Sequence, residues 1–292
     1  MAAAEVMTAP RAAVLPLVTI GIPIRNGDPY LERALASLLG QDYPNLEIIV
    51  SDNGSTDGTA MLLARAVATD RRVRVFRQPE ILTAFDNFAW VMRQGSGRYF
   101  MWAAHDDLRP ADYVSSLVAS LEVHPEAVLA FGDLRVSPIF GDTYASKPFD
   151  YETHGMGRLS RMRRTAFLQC YHIYGVWRLE VLRRIPFIFN PWWPDLPLMV
   201  AAASLGGFCQ VRGLHFDYLE VRKTNEQRAQ YQDNTGSVNR VERTLRLFYV
   251  IYQTVKAVSG QRVGLLAAWF VIEKQLRLIF GLLTRRIRRG DY

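Results

Sequence analysis

Apolar positions along this chain follow two rhythms, short unbroken runs and runs spaced by three or four, and their alternation lays out the elements. Val18 to Ile24 is a short apolar run closing on Pro23-Ile24, the mark of a buried strand. A polar turn, Arg25-Asn26-Gly27-Asp28-Pro29, follows. From Tyr30 the apolar residues Leu31, Ala34, Leu35, Leu38 and Leu39 fall at helical spacing, with Gly40 where a C-terminal cap would stand. Leu46 to Val50 repeats the strand pattern and runs into Ser51-Asp52-Asn53-Gly54-Ser55-Thr56-Asp57-Gly58, dense in turn formers, before a helix begins near Thr59. Two successive βα units predict a parallel sheet that takes its ligands at the carboxyl ends of the strands.

Further on, the pattern predicts a helix over Thr59 to Ala68, an alternating strand over Arg72 to Arg77, a helix over Ala84 to Met92 and a strand over Arg98 to Ala103. Gly95 and Gly97 precede that last strand rather than linking a strand to a helix, so they read as a turn and not as a dinucleotide fingerprint. Pro110 can open a helix from Ala111 to Val123, Val128 to Phe131 reads as a strand, and the polar, aperiodic Gly141 to Arg161 reads as an inserted or acceptor-facing loop. Thr165 to Arg184 reads as mostly helical. Prolines between Phe187 and Asp195 forbid regular structure, and an apolar helix from Leu196 to Leu205 stops at Gly206-Gly207. Phe208 to Val211 and Phe216 to Val221 read as two short strands. Asn225 to Asn239 is a polar linker, followed by helices over Val241 to Val258 and Val263 to Arg289. On the second, Leu265, Trp269, Ile272, Leu276, Ile279 and Leu283 form one apolar stripe ahead of Arg285, Arg286, Arg288 and Arg289.

Composition adds bounds. A chain of 292 residues with 49% hydrophobic content fits one main domain with an appendage. Two cysteines, Cys170 and Cys209, are too few for a disulfide framework and lack metal spacing, which points to a reducing compartment. Residues Met1 to Leu15 lack the basic flank and apolar core of a signal peptide and read as a loose leader, and no uncharged apolar run reaches the ~18 residues of a membrane span. The net charge of +7 suits anionic partners such as nucleoside diphosphates or acidic lipids. Nucleic acid is not expected, because the basic residues do not interleave with aromatics and no recognition motif is present.

The run IPIRNGDPYLERALASLLGQDYPNLEIIVSDNGSTDGT resembles the amino-terminal half of the nucleotide-binding domain of family 2 glycosyltransferases. That resemblance implies an α/β fold of the GT-A (Rossmann-like) class, a mixed, mainly parallel sheet flanked by helices with a C-terminal helical extension. It divides the chain into a GT-A domain over 16–225, with a nucleotide-binding half at 16–110 and an acceptor half at 111–225, and the extension at 226–292. It implies an enzyme that moves a sugar from a nucleoside-diphosphate sugar to an acceptor hydroxyl with inversion, in cell-surface polysaccharide or glycolipid synthesis. A non-catalytic sugar- or nucleotide-binding relative and a nucleotidyltransferase stand as alternatives.

Residue by residue, the resemblance assigns Pro23, Arg25 and Asn26 to the first loop beside the nucleotide and Asp52 to the acid that holds the nucleoside, while Arg77 and Asn87 fall at positions that tend to line the cleft. From the residues alone, Asp52 also suits an Asx-turn. His105-Asp106-Asp107 is similar to the Asp-x-Asp region that holds Mn2+ or Mg2+ against the diphosphate, except that Ala104 replaces the leading Asp. Which of Asp106 and Asp107 touches the metal stays open, as does whether His105 meets a phosphate or packs, and the pair also suits helix capping. Asp195 matches the family's catalytic base, with Pro194 replacing a Glu; Trp192 and Trp193 suit sugar stacking or a core, and Arg222 and Lys223 suit a basic loop over the diphosphate or a solvated turn. The acceptor is expected to be a saccharide or lipid-linked, and the location cytoplasmic or on the inner face of the membrane. The C-terminal stripe fits either an anionic membrane surface or packing, on the preceding helix or in a homodimer.

Overall fold

The computed structural model describes residues 15–138, 145–146, 150–188, 195–220 and 240–289. Four strands in βα units, β1 (Val18–Ile24), β2 (Leu46–Asp52), β3 (Val73–Arg77) and β4 (Tyr99–Trp102), alternate with α1 (Leu31–Leu39), α2 (Thr59–Thr69), α3 (Ala84–Gln94) and α4 (Tyr113–Val123). These four strands are mutually parallel in the order β3-β2-β1-β4. The chain continues through β5 (Ala127–Pro138), β6 (Ala145–Ser146), α5 (Arg158–Phe167), a 3-10 turn (Tyr171–Tyr174), β7 (Val176–Arg178), α6 (Leu179–Arg184), α7 (Asp195–Leu205), β8 (Gly207–Glu220), α8 (Arg240–Ser259) and α9 (Gln261–Arg289). β7 lies antiparallel between β4 and β5, and β8 runs parallel along β5, completing an eight-stranded sheet.

Strand periodicity assigns side chains to the two faces. Tyr99 and Met101 join Ile20, Ile22, Ile48 and Val50 beneath α1, α2 and α4, whereas Phe100 and Trp102 join Trp177, Leu129 and Phe208 on the other face. That second core is closed by α3, α5, α7 and the α8–α9 pair, whose Leu247, Ile251, Val255, Phe270 and Val271 are buried in it. Because both faces are covered, β1 reads as an unbroken apolar run.

Several sequence expectations are corrected. The helical reading of Thr165 to Arg184 covers four elements, among them β7, where Trp177 is fully buried and pairs with both Phe100 and Leu129. Pairing on two sides overrides the local spacing. β5 runs on to Pro138 instead of ending near Phe131, because β8 pairs with it throughout. The two short strands expected over Phe208 to Val211 and Phe216 to Val221 are one strand as far as Glu220, β8, whose register jumps where Gly132 faces Val211 and Asp133 faces His215; Val221 lies outside the described residues. Gly213, at φ 79°, makes that bulge possible, and its N–H donates to Asp133 Oδ2 at 2.8 Å. The expected acceptor loop Gly141 to Arg161 contributes the first residues of α5, and Thr153 within it is fully buried, bonded to Phe208 of β8. α4 starts at Tyr113 rather than Ala111.

The described part of the α9 stripe is mostly exposed. Leu265, Trp269 and Leu276 are exposed and Ile272 is half-buried, while Gly264, Ala267, Ala268 and Val271 face inward. A Cβ on Gly264 would stand 2.9 Å from the Tyr252 carbonyl, so small residues are what let the two helices approach. Ile279, Leu283 and the terminal arginines lie outside the residues whose side chains are described. Among the described residues no helix is long and apolar enough to cross a membrane.

Candidate active site

The loops leaving β1 and β2 are tied together at the carboxyl edge of the sheet. Asn26, exposed and at a left-handed φ of 56°, donates its N–H to Ser55 Oγ at 2.9 Å and accepts from the Thr56 N–H at 2.9 Å. Asn tolerates that conformation because its short amide bonds locally. Gly27 N–H donates to Thr59 Oγ1 at 2.8 Å, and Asp57 accepts from the Thr59 N–H at 3.1 Å, while Gly58 takes the N-cap position of α2. Pro23 is buried inside β1, and Arg25 is exposed at the rim.

Asp52 ends β2 and is 2% exposed. Its Oδ1 accepts from the Ser55 N–H at 2.9 Å, an Asx-type bond, and its Oδ2 takes a 2.7 Å ion pair from Arg77 at the end of β3. Arg77 also donates to the Ser55 carbonyl at 3.1 Å, so the guanidinium braces the loop while remaining half exposed. Asn87 is buried, not open to the cleft: Ser51 Oγ donates to its Oδ1 at 2.5 Å, joining α3 to β2. Asn53 does similar work, exchanging two bonds with Leu82.

After β4 the chain turns through His105, half-buried against the Gly27 turn. Asp106 is partly open and borders a small hollow with Tyr30, Arg33, Leu108, Asp217 and Leu219. Asp107 is fully buried; its Oδ1 accepts from the Leu219 N–H at 3.2 Å, and its Oδ2 has no partner among the described residues. Burial pushes its carboxyl up to about 7, against the pull of Arg109. Arg109 is itself buried, its guanidinium over Phe216 at 4.8 Å and its Nε and Nη1 unpartnered among the described residues. Neither acid caps α4, whose N-cap is Asp112. Two hard carboxylates, one open and one with an orphaned buried oxygen, fit a Mn2+ or Mg2+ ion.

Asp195 opens α7, half-buried, and burial pushes its carboxyl up to about 6. Tyr174 lies within electrostatic range of it and of the acids after β4. Burial drives the phenol far up, and the charges of Asp107, Asp195, Tyr218 and Asp106 push it further, so one side chain feels all three candidate acids. Sequence reasoning missed Tyr174, Arg109 and Asn53. A Tyr-Gly step just before β7 is the sole local signal for the first, and the DNGS loop for the last. Trp192, Trp193, Pro194, Arg222 and Lys223 lie outside the described residues.

The profile of Glycosyl transferase family 2 matches residues 19–183, more than half of the 292. The chain belongs to glycosyl transferase family 2. Asp195 lies beyond the matched segment. Among curated relatives, glycosyltransferase GlyA of Streptococcus pneumoniae is 29% identical over 157 residues, covering 48% of this chain and 22% of GlyA. An uncharacterised glycosyltransferase of Haemophilus influenzae is 30% identical over 107 residues, covering 37% of this chain and 33% of its own. The chain thus spans 22% to 33% of these relatives' lengths. Among solved structures, S. aureus TarS 1-349 in complex with UDP-GlcNAc superposes with TM-score 0.63 at 15% identity, covering 87% of this chain and 71% of that one. The mannosyltransferase PcManGT from Pyrobaculum calidifontis, in complex with GDP-Man and Mn2+, gives 0.54 at 18% identity, covering 98% and 84%. The fold of this family 2 chain is the GT-A fold, α/β with a mainly parallel sheet flanked by helices.

Proposed function

We propose that this chain transfers a glycosyl group from a nucleoside-diphosphate sugar to an acceptor hydroxyl, with inversion at the anomeric carbon. The observation that carries this reading is the carboxylate pair after β4, Asp106 partly open and Asp107 with an orphaned buried oxygen, in a chain that matches family 2 over residues 19–183. Such a transfer needs a grip on the nucleoside, neutralisation of the leaving diphosphate and a base for the acceptor. Asp52 is the candidate nucleoside acid, since a carboxylate accepts from a base N–H or a ribose hydroxyl; Arg77 pairs with it, Asn26 ties down the Ser55 loop beside it, and Arg25 is exposed in the neighbouring loop. Asp106 is the candidate metal contact because it is the open member of the pair, with Asp107 behind it. A bound Mn2+ or Mg2+ supplies positive charge against the departing diphosphate.

Asp195 is the candidate base. With its carboxyl near 6 it is ionised at neutral pH yet basic enough to take a proton. It accepts the acceptor hydroxyl's proton while the oxygen attacks the anomeric carbon opposite the diphosphate, whose glycosidic C–O bond breaks with the electron pair leaving on the diphosphate. The exposed Leu265, Leu266 and Trp269 on α9 support a peripheral seat on an anionic cytoplasmic membrane face and a lipid-linked saccharide acceptor. Calorimetry with UDP-GlcNAc, GDP-mannose and the free diphosphates, with and without Mn2+, tests the reading. Metal-dependent binding of at least one is expected, and none binding in that way overturns it.

A further inference from the structure

At the amino ends of β5 and β8, across the sheet from the carboxyl-edge site, His124, Glu126 and His154 stand together. His154 Nδ1 lies 2.7 Å from Glu126 Oε1, and the two imidazole rings are 4.3 Å apart between centroids. One ligand atom from each residue can be chosen so that all three lie within 4.8 Å of one another. Their backbones are pinned. The His124 N–H donates to Ser120 O at 3.1 Å, and its carbonyl accepts from Arg178 Nη2 at 3.3 Å. The His154 N–H donates to Phe208 O at 3.0 Å and to Glu152 Oε1 at 2.9 Å.

We propose that His124, Glu126 and His154 form a second metal site, for Zn2+. Two neutral imidazoles and one carboxylate are the donor set that zinc takes with three protein ligands, leaving a fourth position to water. Mg2+ and Mn2+ prefer all-oxygen sites, so the ions of the two sites differ in class. Donors on a tetrahedral ion with bonds of ~2.0 Å lie ~3.3 Å apart. Closing from separations within 4.8 Å calls for side-chain rotation, for which Glu126, 59% exposed, has room. The bound ion would join the α4–β5 turn to the segment at 150–157 that lies along β8.

Zinc titration by calorimetry, with metal content read after gel filtration, tests this in an Asp106→Ala background that removes a competing carboxylate. One Zn2+ per chain and a raised Tm are expected there, with no comparable response to Mg2+. The added changes His124→Ala and His154→Ala should abolish both effects, and Glu126→Gln, which removes a charged ligand, should weaken binding by at least the ~10-fold that losing an outer-shell partner costs. Zinc uptake that persists at full stoichiometry in a folded double-histidine variant, as binding by the thiols would give, overturns the site, and so does no uptake before those changes. Should the double variant fail to fold, His154→Gln and Glu126→Gln singly decide: unchanged affinity in either refutes the proposal.

Discussion

Asp195 has a chemistry that depends on its surroundings, since an aspartate in water is too weak a base to be useful at neutral pH. Burial raises its carboxyl to about 6, so in the proposed role as base its protonation should stop transfer as pH falls through that value. The rate of transfer should therefore show an acid limb near pH 6. Asp195→Asn should remove ~10²–10⁴ of the rate while leaving donor affinity nearly intact, because a base acts on the barrier and not on ground-state contacts. Asp106→Asn should instead weaken donor binding only when Mn2+ is present, as calorimetry would show; equal loss of donor affinity in both variants would contradict the two roles. Arg178 is a residue of a different kind. Buried, it donates to the carbonyls of Ala127 at 2.7 Å and Leu121 at 2.7 Å, and to the Tyr99 hydroxyl at 3.3 Å. Arg178→Ala removes the buried donor from both carbonyls and should cost ~2–4 kcal/mol, read as a lower urea midpoint.

Among the elements, α9 separates two demands. Its small residues Gly264, Ala267 and Ala268 face α8 and the core, while Leu265, Leu266, Trp269 and Leu276 face outward. In the described part of α9 the apolar stripe legible in the sequence is thus mostly exposed, because large residues on the inner face would hold the helices apart. Leu265→Glu with Trp269→Glu should abolish co-sedimentation with anionic vesicles at low salt and leave Tm nearly unchanged, as surface substitutions stay within about ±0.5 kcal/mol each. Ala268→Leu should do the opposite, since overpacking costs ~1–3 kcal/mol and leaves the outer face intact. An intact chain that ignores acidic vesicles would end the membrane reading.

For the whole molecule, α8 and α9 belong to the second core. Leu247, Ile251, Val255, Phe270 and Val271 are buried there, at ~1.5–3 kcal/mol for each large side chain, against a net stability of ~5–15 kcal/mol for a domain. Truncation after residue 220 should therefore yield insoluble or unfolded chain, as soluble yield and circular dichroism would show, instead of a free-standing transferase domain. The βα units from Val18 to Thr69 were legible because their signals are local: strands buried on both faces read as apolar runs, and their loops collect turn formers that also carry the family pattern. β7 was not, since three residues carry no period and take strand form from pairing with β4 and β5. Nor could the sequence separate Asp106 from Asp107, as one stays open and the other is buried through its bond to Leu219, 112 positions away. The sequence by itself determined the fold class, the family and the acids available for chemistry, because composition and short-range spacing encode them. Tertiary structure alone decided which of Asp106 and Asp107 is buried, which described residues of α9 are exposed and that His124, Glu126 and His154 are neighbours, because burial and proximity are set by residues distant in the chain.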